Sequence, residues 1–135
     1  MSIILSGIGN DIHCVALRLI EIELQSRQVA LINLGAANGF EFIEHQTRIN
    51  NGTVLVLSST NGEFYDWRCD LKLLIESLPL VSILVGGNLL IGDYDDSAVE
   101  NELRNLGCAE VFSRRGSIVE ICDMITTYAG SNRNK

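Results

Sequence analysis

No two cysteines in this chain stand at C-x-x-C spacing, and none of the gaps between Cys14, Cys69, Cys108 and Cys122 is that of a zinc finger. They are expected to be reduced thiols of a cytoplasmic protein. No apolar run approaches the roughly 18 residues a membrane helix needs, and the N-terminus lacks the basic start and small-residue cleavage site of a signal peptide. These absences exclude a membrane partner and predict a soluble protein that is not exported. Basic clusters are also missing. Arg114-Arg115 and the closing Asn132-Arg133-Asn134-Lys135 are too short to form a patch, and a net charge of -7 repels phosphate, so nucleic acid is excluded as a partner. There is one proline, Pro79, with no low-complexity linker and no internal repeat. One domain over residues 1–130, followed by a flexible tail over 131–135, is the organisation these features predict.

A chain of 135 residues, 47% of them hydrophobic and 20% charged, can bury about two-thirds of the surface its unfolded form exposes. Short apolar runs at 2–8, 29–34, 53–57, 81–85 and 109–112 read as strands. Segments with helical spacing lie between and after them, at 14–25, 40–49, 67–76, 98–106 and 118–128. The first helix offers Val15, Leu17, Leu19, Ile20 and Leu24 as its apolar positions, the second Phe42 and Ile43, and the third Leu71, Leu74 and Ile75. Five strands alternating with five helices predict an α/β fold, a flavodoxin-like (Rossmann-like) doubly wound parallel sheet of order 2-1-3-4-5 with helices on both faces. Ligands of such sheets bind beyond the carboxyl ends of the strands, near the switch point between the first and third. Attention therefore falls on the segments after strands one, three and four.

The usual ligands of this fold are disfavoured there. Gly7 and Gly9 begin a G-x-G-x-x-G fingerprint, but its third glycine is Ile12 and the second strand ends near Asn33 instead of an acid. Ser58 and Ser113 stand where a phosphoacceptor receiver needs an aspartate and a lysine. The first loop carries Asp11 and His13 where a flavodoxin has Ser and Thr, and no Walker lysine is present. Asp11 and His13 are two apart, so in an extended segment they project to one side. Taken alone, the pair reads either as a helix cap with an exposed histidine or as an imidazole whose tautomer a carboxylate fixes for metal binding. Ser58-Ser59 and Gly86-Gly87 read equally well as turn residues.

Together, Asp11-x-His13, Ser58 and Gly86-Gly87 resemble the D-x-H-x-x-G, S-x-L and G-G segments of the cobalamin (B12)-binding domain family. More narrowly, Gly9-Asn10-Asp11-Ile12-His13-Cys14-Val15, Val56-Leu57-Ser58-Ser59 and Val85-Gly86-Gly87-Asn88-Leu89-Leu90-Ile91-Gly92 resemble the small (sigma) subunits of methylaspartate (glutamate) mutase, over nearly the whole chain and in the same order. Two positions depart from the pattern. The family glycine is Ala16 here, one methyl larger where the first helix is expected against the cofactor's nucleotide tail, and the leucine of S-x-L is Thr60.

The resemblance implies an adenosylcobalamin cofactor with His13 as the axial cobalt ligand in place of the cofactor's dimethylbenzimidazole, and Asp11 on the other imidazole nitrogen. The cofactor-binding set it implies is Asn10, Asp11, Ile12, His13 and Cys14; Ser58, Ser59 and Thr60; and Gly86, Gly87, Asn88, Leu89, Leu90, Ile91 and Gly92. In it Ser58 lies near the benzimidazole, Gly86-Gly87 allows close backbone approach, and Cys14 is a packed thiol. A single domain leaves the upper corrin face uncovered, so the resemblance further implies a large barrel-type subunit that binds the amino-acid substrate, in a heterotetramer that rearranges glutamate to 3-methylaspartate. No catalytic residue is expected on this chain beyond the cofactor ligand. The alternatives are a corrinoid carrier or cobalamin-responsive module, and a degenerate domain in which Ala16 and Thr60 mark lost cofactor binding.

Overall fold

In the computed structural model, which describes residues 2–8, 15–59, 64–86, 96–112 and 117–133, strand and helix alternate from β1 (Ser2–Gly7) to α5 (Ile118–Arg133). Between them come α1 (Val15–Ser26), β2 (Leu31–Asn33), α2 (Phe40–Ile49), β3 (Gly52–Ser58), α3 (Phe64–Ser77), β4 (Ser82–Gly86), α4 (Asp96–Leu106) and β5 (Glu110–Phe112). All strand pairs are parallel and the order is β2-β1-β3-β4-β5, as expected for a flavodoxin-like sheet.

Alternation along the strands sends side chains to two separate cores. Ile4, Leu55, Leu57, Ile83, Val85 and Val111 pack against Ile43 of α2, Leu71 and Leu74 of α3 and Leu103 of α4. Ile3, Leu5, Val54, Val56, Leu84 and Phe112 pack against Leu17, Ile20 and Leu24 of α1 and Cys122 and Ile125 of α5. With both faces covered, the central strands read as continuous apolar runs.

Several boundaries differ from the sequence reading for local reasons. β2 keeps only residues 31–33, because the Val29 amide is spent on closing α1, where it donates to the Leu24 carbonyl at 3.1 Å. Gln28, at φ 61°, is the left-handed residue that this helix end requires. α1 buries one stripe, Leu17, Ile20 and Leu24, and leaves Val15 (71% exposed) and Leu19 (46%) outside. In α2 the buried residues are Ile43 and Thr47, and Phe42 faces out at 46% exposed. α3 opens earlier, at Phe64, and stops two residues before Pro79, which cannot continue a helix. α5 starts on Ser117, whose Oγ accepts the Glu120 amide at 3.1 Å, and runs past Tyr128 to Arg133, so residues 131–133 are helical. Among the described residues no helix is long and apolar enough to cross a membrane.

Candidate functional site

β1, β3 and β4 are adjacent, and they end in one row: Gly7 is in register with Ser58, and Ser58 with Gly86. Phe112 of β5 extends that row beyond Gly86. Counting by twos from Leu5, Val56 and Leu84 puts Gly7, Ser58 and Gly86 on the face that α1 and α5 cover. Ser58 therefore stands between two strand neighbours without side chains, at the switch point of the sheet. The main chain carries the ladder one step past the strands. The Ile8 amide donates to the Ser58 carbonyl at 3.1 Å, and the Ser59 amide to the Gly86 carbonyl at 3.0 Å.

Ser59 itself is fully buried, and its hydroxyl has no hydrogen-bond partner. Continued alternation directs it away from Ser58, toward the face of α2, α3 and α4, so the two serines do not line one slot. A buried hydroxyl left unpaired costs about 1–3 kcal/mol. It is the one feature of the described edge that asks for a group the chain does not supply.

Of the residues singled out in the sequence, Ser58, Ser59 and Gly86 come together at this edge. Asn10, Asp11, Ile12, His13 and Cys14, then Thr60, and then Gly87, Asn88, Leu89, Leu90, Ile91 and Gly92 lie outside the described residues. Gly86 has a packing reason for being glycine. A Cβ there would fall 2.8 Å from Phe112, so the ring of β5 takes the space that was expected to serve backbone approach by a ligand. Gly7 is similar, since its Cβ would sit 3.0 Å from the Ala36 Cα. Ala16 is half-buried in the first turn of α1.

Residues that the sequence did not flag also shape the edge. Asn38, in the stretch read only as a break after the second strand, bonds to the end of β1 by main chain and side chain. Asn33 accepts the Gly35 amide at 2.9 Å and donates to Glu21 of α1 at 3.4 Å. Arg18 hydrogen-bonds the same Glu21 and holds its carboxyl below the usual range. The signal was present in both asparagines, which favour turns because their side chains bond nearby backbone, but the partners are distant in sequence. No group of three or more His, Cys, Asp or Glu side chains able to hold a metal occurs among the described residues.

No protein-family model matches the chain. It is 31% identical over 114 residues to the glutamate mutase sigma subunit of Carboxydothermus hydrogenoformans, which covers 83% of both chains. This chain belongs to the glutamate mutase sigma subunit family. Among solved structures, this sigma-family chain resembles a cobalamin-binding protein from Desulfitobacterium hafniense at TM-score 0.73 and 13% identity, covering 94% of this chain and 58% of that one. It spans little more than half of that protein's length. A CheY-like protein from Pseudomonas aeruginosa matches at TM-score 0.66 and 15% identity, over 92% of this chain and 98% of the other. Both likenesses establish the fold and no more, since one fold hosts unrelated functions.

Proposed function

We propose that this chain is the cobalamin-binding small subunit of an adenosylcobalamin-dependent, glutamate mutase-type isomerase. The observation that carries the reading is the row Gly7, Ser58, Gly86. Adjacent strands ending in register bring the exits to Asp11-x-His13, Ser58-Ser59-Thr60 and Gly86-Gly87 side by side at one edge. Kinship with the glutamate mutase sigma subunits supports this reading. Among the described residues, the observation that fits a bound group is the buried Ser59 hydroxyl, which lacks a partner; the spaces over Gly7 and Gly86 are taken by Ala36 and Phe112.

In this reading His13 would hold cobalt through one imidazole nitrogen and Asp11 would accept from the other, fixing the tautomer and raising the basicity of the ligand. Ser58 would hold the nucleotide tail together with Gly87, Asn88, Leu89, Leu90, Ile91 and Gly92, while Gly86 has its space filled by Phe112. When bound, the corrinoid supplies a cobalt–carbon bond that cleaves homolytically. This chain's own part would be to bind and orient it. Substrate binding and the cover over the other face belong to a large barrel-type subunit, which rearranges glutamate to 3-methylaspartate.

Adding hydroxocobalamin to the purified chain and recording the visible spectrum tests the proposal. The chain should retain the corrinoid through gel filtration in a histidine-ligated form. That form should vanish in His13→Gly and persist in a variant of the other histidine, His45→Gln, which is exposed on α2. No retention at micromolar cofactor, with or without a large subunit, rules the proposal out.

A further inference from the structure

We propose that the groove at the amino ends of β3 and β4 is a self-association surface that receives Leu80 of a second copy of this chain. The groove, of about 470 Å³, lies between the turn entering β3 and the turn entering β4, with Arg48 and Gly52 on one wall and Leu78, Pro79, Leu80 and Val81 on the other. Gly52 opens β3 and Ser82 opens β4, so this is the opposite end of the sheet from the row Gly7, Ser58, Gly86. A second copy docked here leaves that edge free, so the surface is independent of the cobalamin reading.

Leu80 is the residue that packing within the chain leaves unexplained. α3 stops at Ser77, and the Val81 amide donates to the Leu78 carbonyl at 3.1 Å, closing a four-residue turn with Pro79 and Leu80 as its central pair. Proline at the first central position presets the backbone, and the flanking Leu78 is anchored in the core. Turns of this kind favour Gly, Asn, Asp or Ser beside the proline. Here the place is taken by a leucine that is 90% exposed, the most exposed large hydrophobic side chain among the described residues. A fixed turn thus holds an apolar knob in water, next to a groove with apolar walls. Little backbone freedom is lost when such a knob docks.

A knob and a hole side by side make this face self-complementary, which a two-fold contact between identical chains requires: each copy's Leu80 enters the other's groove. The charges agree. Arg48 is the only charged side chain among the described residues that line the groove, whereas the chain as a whole carries -7. Its guanidinium donates to the Ser77 carbonyl at 2.7 Å and lies 3.8 Å from the Glu44 carboxylate, and the exposed Glu76 precedes Ser77. The rim therefore carries both signs, so a second copy brings carboxylates toward Arg48, whereas a wholly acidic face would repel its own copy. The lining falls well short of the roughly 20–30 residues a side of a standard interface, which puts the contact at the weak end, below about 1,200 Å². The dimer is accordingly weak and reversible.

Sedimentation velocity of the full chain, from micromolar to millimolar concentration, is the test. The wild-type mass should rise from 14.8 kDa toward twice that value. Leu80→Asp puts a carboxylate on the knob, at a position too exposed to disturb the fold, and should move the midpoint of association about tenfold or more higher in concentration. Leu80→Ser removes the knob without adding charge and should do the same. Leu19→Asp makes the same charge change on an exposed leucine of α1 and should leave the midpoint in place. As wild type is concentrated, amide signals of Leu78, Leu80 and Val81 should shift while those of Gly7 and Ser58 stay. A wild-type chain that remains monomeric throughout overturns the proposal and leaves the groove to a small apolar ligand or another protein. A dimer that survives in Leu80→Asp or Leu80→Ser also overturns it, as does one that Leu19→Asp dissolves instead, which would place the contact on α1.

Discussion

The ring of Phe112 fills the space that a side chain on Gly86 would need: a Cβ placed there falls 2.8 Å from both Cβ and Cδ2 of Phe112, its register partner on β5. Gly86→Ala should therefore cost about 1–3 kcal/mol of stability in chemical denaturation, the usual range for overpacking a filled core. The same substitution should cost less in a Phe112→Ala background, where Cδ2 and Cγ are gone. An equal cost in both backgrounds would show that the glycine answers to something other than the ring.

Ser59→Ala removes a hydroxyl that is buried and unpaired. The free chain should be unaffected or stabilised, because no hydrogen bond is lost and a desolvation cost of about 1–3 kcal/mol is relieved. With hydroxocobalamin present the variant should bind more weakly than wild type. Destabilisation of the free chain in equilibrium unfolding would contradict the first expectation, and unchanged affinity the second.

Gln28 closes α1 in the left-handed region at φ 61°. A side chain there costs about 1–2 kcal/mol, part of which glycine returns through its greater freedom in the unfolded chain. Gln28→Gly should raise the midpoint of thermal unfolding without altering cofactor binding. A lowered midpoint would mean that the Gln28 side chain contributes more than its backbone strain costs.

Burial pushes the Cys108 thiol up to about 12 and the Cys122 thiol up to about 11 from an ordinary 9.0. The folded state then holds these protons more tightly than the unfolded state, so their contribution is fully present below pH 9.0 and is lost as pH rises through the window up to about 11 and 12. Stability measured against pH should fall across that window. At pH 8 a thiol reagent should modify the exposed Cys69 quickly and leave Cys108 and Cys122 protected until the chain unfolds. Rapid labelling of either buried cysteine in the folded chain would refute this.

Periodicity was enough for the fold. The apolar runs of β1, β3 and β4 are buried on both faces, so their hydrophobicity is continuous and readable, and alternation with helices leaves a parallel sheet as the arrangement that covers it. The strand ends at Gly7, Ser58 and Gly86, from which the segments singled out in the sequence depart, were legible for the same reason, since each closes one of those runs. What the linear pattern could not carry were relationships between distant residues. Val15, Leu19 and Phe42 are as apolar as their buried neighbours, and only the packing of one helix stripe against the sheet sends them outward. Gly86 reads as a loop glycine until β5 lays Phe112 across it. Asn38 reads as a turn former until the loop after β2 folds back and its amide meets Ser6, thirty-two residues away in sequence. Hydrophobic spacing is a local property of the chain, whereas a hydrogen-bond partner or a filled space exists only once separate strands lie side by side.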